Sequence, residues 1–141
     1  MGDSRPKGLI DTGALLALVD GDDQWHRRCK ETYDNLQLPL ATSIAVLTEF
    51  FHLSSHPRDK AAGWGVLCSG AIRILPIGND DLPDLQTLMD RYHDRPMDFA
   101  DATLVHLAKR EQLDMVFTID HDDFETYRID GRRRFRIVPT R

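Results

Sequence analysis

Cysteine is scarce in this chain. Only Cys29 and Cys68 carry thiols among 141 residues, and neither sits in a Cys-x-x-Cys or Cys/His spacing. That excludes a disulfide framework and speaks against a zinc site, so two reduced thiols are expected. Long apolar runs are absent too, none approaching the roughly 20 residues that cross a bilayer. Residues 1–8 are polar and lack the apolar core of a secretory signal, so no membrane and a cytoplasmic location are expected. There is no positive excess either. A formal net charge of -5 excludes a simple basic nucleic-acid binder. Internal repeats, low-complexity blocks and linkers are missing, and the length fits one domain over residues 1–141.

What is present is ordinary in total and uneven in place. Apolar residues make up 41% and charged residues 29%, enough for a core that needs no disulfide or structural metal. Residues 80–101 hold seven Asp against two Arg, whereas residues 128–141 hold six Arg against one Asp. An acidic focus beside a basic tail suits a metal site flanked by phosphate contacts, and it suits equally two solvated faces.

Short apolar runs alternate with helical patterns along the chain. Residues 7–10 read as a strand that stops at Asp11, and residues 14–19 as a helix that Thr12 could cap. A second helix is expected over 24–36, with His26, Arg27 and Arg28 on a solvated face. A strand follows at 38–41, and a helix over 44–53 begins at a Thr42 or Ser43 cap. Glu49 lies in that helix among Ile44, Ala45, Val46, Leu47, Phe50 and Phe51. A carboxylate so surrounded needs either a solvent stripe or a cation, and the breadth of the apolar face favours the cation. A helix over 59–69 should turn Trp64 and Leu67 inward. Residues 72–77 read as a strand near a sheet edge, because of Pro76. An amphipathic helix over 80–92 comes next, then a helix favoured to start at Pro96 and to run to Arg110. Residues 115–118 read as a buried strand, 120–124 as the loop after it, and 135–138 as a last strand. Strands alternating with helices predict an α/β fold, a three-layer α/β/α sandwich around a central parallel sheet.

The acids stand where such a fold concentrates chemistry. Asp11 and Asp120 end strands and Asp101 begins a helix, so right-handed crossovers bring them to one sheet edge. Asp98 and Asp101, three apart, share one side of a helical turn and read equally as a capping pair or as a functional pair. Thr118 is placed to orient a neighbouring carboxylate. Acids gathered at one edge repel and raise one another's pKa, which a divalent cation relieves. All-oxygen donors suit Mg²⁺ or Mn²⁺, and such a site can hydrolyse phosphodiesters.

The motifs L-I-D-T-G-A-L-L-A-L, T-E-F-F, D-F-A-D-A-T-L-V-H-L-A and T-I-D-H-D-D-F occur in this order across most of the chain. Their order resembles a PIN domain, and most closely the VapC-type toxins of type II toxin–antitoxin modules. The resemblance implies a PIN-like fold and a metal-dependent endoribonuclease that cleaves RNA, inhibits translation and leaves a 5′-phosphate and a 3′-hydroxyl. It implies Asp11, Glu49, Asp101 and Asp120 as the catalytic acids and metal ligands, with Asp98 in a secondary ligand or hydrogen-bonding role. Thr12 and Thr118 would support those acids from behind. It further implies a homodimer and a cognate antitoxin. The apolar helices around Trp25, Phe50, Phe51 and Trp64 could supply those contacts, while the residues themselves read first as core packing. The basic cluster at residues 132–136 would meet RNA phosphates or antitoxin carboxylates. Rival readings are a PIN-like nuclease for RNA processing or DNA without an antitoxin, a non-enzymatic PIN-fold interaction module, and a Mg²⁺-dependent phosphatase. The phosphatase would want a phosphate-binding Lys that is not evident near these acids.

Overall fold

The computed structural model describes residues 4–95 and 97–141. Pro96, read as favouring a helix start, and residues 1–3 lie outside the described residues. The elements are β1 Leu9–Ile10, α1 Thr12–Val19, α2 His26–Asp34, β2 Leu40–Thr42, α3 Ile44–Leu53, α4 Pro57–Cys68 and β3 Ile72–Ile74. A 3-10 turn at Asn79–Asp81 then leads into α5 Leu82–Arg91 and α6 Phe99–Arg110. These are followed by β4 Met115–Phe117, α7 His121–Thr126, β5 Arg128–Ile129, β6 Arg133–Arg134 and β7 Arg136–Val138.

Five strands pair in the order β3-β2-β1-β4-β7, and every pairing is parallel. The expected parallel α/β sheet is therefore present, with β3 at an edge. Strand pleating divides the core into two layers. Leu9, Ala41 and Val116 pack on one face with residues of α5 and α6. Ile10, Leu40, Met115 and Phe117 pack on the other face with α1, Cys29 and Phe50. Leu9 pairs with Val116 and Ile10 with Phe117, so the residues that follow β1 and β4 emerge together at one edge. Asp11 N–H completes that edge by donating to Phe117 O at 3.0 Å. The short β5–β6 hairpin is separate and antiparallel.

Several local expectations are corrected. Trp64 does not turn inward; it is 54% exposed. The inward position of α4 belongs to Gly63, where an added Cβ would stand 2.6 Å from the Phe50 ring. His26 is not simply solvated, because its Nδ1 lies 2.7 Å from Ala17 O. Residues after Asp120 form α7 rather than a loop, since the Asp120 carboxylate accepts from Asp123 N–H at 3.3 Å and caps the helix. Helix α6 is buried along residues 100–108, which places its first turn, and Asp101 with it, deep at the sheet edge.

Candidate metal centre

Three chain reversals deliver the acids. Asp11 leaves β1 in extended conformation and caps α1, its Oδ1 accepting from Thr12 N–H at 2.8 Å. Its other oxygen accepts from the Thr118 hydroxyl at 2.9 Å. That hydroxyl also accepts from Asp120 N–H at 2.9 Å, so Thr118 ties the two strand ends together. Asp98 caps α6, accepting from Asp101 N–H at 2.7 Å. Asp101 then points into the edge, and its Oδ2 accepts from the Tyr127 hydroxyl at 2.9 Å. Glu49 reaches the same place from the middle of α3, half-buried.

Asp11, Glu49, Asp98, Asp101, Asp120 and Asp123 line one recess of about 430 Å³, together with Thr12, Gly13 and Ile119. The structure thus brings all five acids expected from the sequence to one place. Among the described residues no three His, Cys, Asp or Glu side chains stand at a spacing that would grip an ion as they are. A larger cavity of about 910 Å³ adjoins it and shares Glu49 and Asp98, but its walls are mainly apolar, including Ile44, Leu82 and Phe99. The carboxylate chemistry resides in the smaller recess.

Electrostatics mark the recess. Burial, helped by Asp120 and Glu49, pushes Asp11 up to about 7 against the pull of its two hydrogen-bond donors. Burial again comes first at Asp101, followed by the charges of Asp11 and Asp98, and carries it to about 8. Asp120 rises to about 6 through desolvation by the recess walls and then its neighbour Asp123. Carboxylates in this condition hold protons near neutrality unless a cation joins them. The donor set is all oxygen, so the residues fit a hard divalent ion such as Mg²⁺ or Mn²⁺.

Two expectations for the flanking threonines part company. Thr118 orients Asp11 as expected. Thr12 does not support an acid through its side chain, because Asp11 takes the cap and the buried Thr12 Oγ1 has no hydrogen-bond partner among the described residues. Three participants were not foreseen. Tyr127 is fully buried and donates to Asp101 from 26 residues away. Asp123 lines the recess instead of an exposed loop, and Arg95 Nη1 donates to its Oδ1 at 2.7 Å. The three-residue spacing of Asp120 and Asp123 repeats that of Asp98 and Asp101, and this was the one available signal.

A family model described as PIN domain matches residues 8–130. The chain belongs to the PIN domain family. This PIN domain is 29% identical over 134 residues to ribonuclease VapC26 of Mycobacterium tuberculosis, a match covering 93% of the chain and 99% of that relative. Its fold is similar to the crystal structure of Mycobacterium tuberculosis VapC20, a sarcin-ricin loop cleaving toxin. The TM-score there is 0.74 at 21% identity, over 82% of this chain and 91% of that one. It is also similar to a chain in a toxin–antitoxin complex from Klebsiella pneumoniae, with TM-score 0.65 at 19% identity, over 84% and 91% of the two chains. At those identities the two solved structures speak for the fold of the PIN domain.

Proposed function

We propose that this chain, as a single PIN domain, is a Mg²⁺- or Mn²⁺-dependent endoribonuclease, the toxin of a type II toxin–antitoxin pair. The observation that carries the reading is the pair Asp11 and Asp101. Both are buried in one acidic recess, both are raised to near neutrality, and among the described residues no Lys or Arg lines that recess. Likeness to ribonuclease VapC26 over nearly its whole length supports RNA as the substrate class.

Asp11, Glu49, Asp101 and Asp120 would hold the ion, with Asp98 at the rim. The chemistry such an ion supplies when bound is neutralisation of these carboxylates and activation of water for phosphodiester hydrolysis. Thr118 keeps Asp11 and Asp120 in register through one hydroxyl, and Tyr127 fixes one oxygen of Asp101 so that the other faces the recess. Asp98 stabilises the first turn of α6, on which Asp101 stands. Partners follow from the same reading: RNA, a cognate antitoxin and a second copy of the chain, meeting in the cytoplasm. Exposed apolar side chains near the recess, Ile44, Leu53, Leu82 and Phe99, offer area to the protein partners, as does Trp64 on α4. Phe50 is fully buried and offers none.

Induced expression in growing cells tests this reading. Growth should arrest with fragmentation of RNA, and Asp11→Asn should abolish both effects at equal protein level. Unimpeded growth, or equal toxicity of Asp11→Asn, would count against it.

A further inference from the structure

The recess poses a binding problem. Its titratable lining is entirely acidic, in a chain whose formal net charge is -5, so an RNA strand approaching it is repelled. Attraction has to come from cations outside the recess. Several arginines are already engaged. Arg27, Arg58, Arg110 and Arg141 are held in ion pairs, and Arg128 donates to three backbone carbonyls.

Arg28 donates to the Thr140 and Arg141 carbonyls, and Arg73 stands on β3 at the far edge of the sheet. Near the hairpin, five more are exposed and have no carboxylate partner among the described residues: Arg91 at the end of α5, and Arg132, Arg133, Arg134 and Arg136 on and beside β6. The acid within the hairpin turn, Asp130, is taken by Lys109 at 3.4 Å. Phe135 is buried against Phe124, with ring centroids 5.4 Å apart, which anchors the strand while Arg134 and Arg136 stay outside.

The hairpin and the recess are joined by residues 91–95. A Cβ added at Gly131, in the turn of the hairpin, would stand 3.5 Å from Arg91 Nη1. Tyr92 Oη accepts from Arg128 N–H at 3.0 Å. Arg95 Nη1 donates to Asp123 Oδ1 at 2.7 Å, and Asp123 lines the recess. Arginines therefore lead from the hairpin, past the end of α5, to the lip of the acidic site.

We propose that Arg132, Arg133, Arg134 and Arg91 form a track for the phosphate backbone of the RNA strand that enters the recess. The track rests on the ribonuclease reading and names where that enzyme grips its substrate. Charge alone distinguishes it from a protein-docking face. Among the described residues the exposed large apolar ones are Leu38, Ile44, Leu53, Trp64, Ile74, Leu82, Met89 and Phe99, and none lies within residues 91–95 or 128–136. Protein interfaces draw on apolar and aromatic anchors, whereas backbone recognition needs cations and is blind to sequence.

The test measures binding of a labelled single-stranded RNA in EDTA, where cleavage is off, across a salt series. The combined variant Arg132→Ala, Arg133→Ala, Arg134→Ala should bind more weakly. Its log–log salt slope should be shallower by about 0.7 for each arginine that meets a phosphate, hence by about 2. Its thermal midpoint should match the parent, since all three side chains are exposed. Unchanged affinity and slope would overturn the track, and so would loss of binding to an acidic peptide alone while RNA binding persists. The two readings fail separately. A parent that binds RNA with this slope but does not cut it sinks the ribonuclease and leaves the track. A parent that cuts RNA while the variant keeps its full slope does the reverse.

Discussion

Asp81 and Asp101 both bear on α6, near its two ends, and their carboxyls are driven in opposite directions. Asp81 accepts from Gly78 N–H at 2.8 Å, lies 2.7 Å from His106 Nε2 and accepts at both oxygens from Arg110 Nη1 at 3.2 Å. Those partners, the backbone amide first, hold it down at about 2. Asp101 has the Tyr127 hydroxyl against burial and three neighbouring acids, and stands at about 8. Helix dipoles do not separate the two, since both N-termini welcome negative charge: Asp101 sits in the first turn of α6 and Asp81 is the N-cap of α5. A dipole effect of about 0.3–1 kcal/mol is too small to decide the matter against burial and unscreened neighbours. A satisfied carboxylate stabilises the fold; an unsatisfied one is kept for something outside the chain.

Substitutions can break the contrast. Asp11→Asn or Asp101→Asn should weaken Mn²⁺ binding, read by calorimetry, by about 10²-fold or more, while Asp81→Asn leaves it unchanged. Equal losses at the two sites would erase the distinction. Tyr127→Phe removes one hydroxyl and keeps the aromatic contacts to Tyr92 and Phe124. Mn²⁺ affinity should fall by about 10- to 100-fold with little change in thermal midpoint.

The opposite signature belongs to Asp81. Asp81→Ala leaves the buried His106 and the Arg110 guanidinium without their partner. It should cost about 1–3 kcal/mol of stability in urea denaturation and spare RNA cleavage. The contribution of Asp81 is present above the unfolded aspartate value of about 3.9 and is lost as pH falls toward about 2.

In the recess the sign is inverted. Asp11 and Asp101 keep protons up to about 7 and 8 in the folded chain, whereas the unfolded chain releases them near 3.9. The folded form binds more protons through that window, so stability falls as pH rises. The thermal midpoint in EDTA should drop by several degrees between about pH 5 and about pH 8, and Asp101→Asn should flatten the profile. A midpoint that climbs over this range would contradict the assignment of burial as the dominant cause. The smallest effect concerns Asp98. Asp98→Ala should cost about 0.5–2 kcal/mol through the lost cap, and Asp98→Ser should restore most of it. Cleavage that fails in both variants would make Asp98 a ligand rather than a cap.

What was legible in the sequence follows from how local each cause is. Asp11 and Asp120 come directly after apolar runs, so their place at strand ends could be read from a few residues. The parallel topology then carried them to one edge. Glu49 was betrayed by an apolar helix with no other reason to hold an acid. Tyr127 was invisible because its partner is 26 residues away and its hydroxyl matters only once the chain is folded. Trp64 misled because a large aromatic suggests a core, while the smaller Gly63 beside it fills the inward position. Helix α7 was missed because six residues, half of them acidic, show no hydrophobic period, and what secures its start is the Asp120 cap. Thr12 was credited with a role that its neighbour Asp11 performs.

RNA cleavage by the purified chain with Mg²⁺, set beside the same protein in EDTA and beside Asp101→Asn with Mg²⁺, bears most directly on the acidic recess as a catalytic metal centre. Cleavage with Mg²⁺ alone, absent in EDTA and at least about 10²-fold slower in Asp101→Asn, is the expected result. Undiminished cleavage by Asp101→Asn, or cleavage that persists in EDTA, would contradict it.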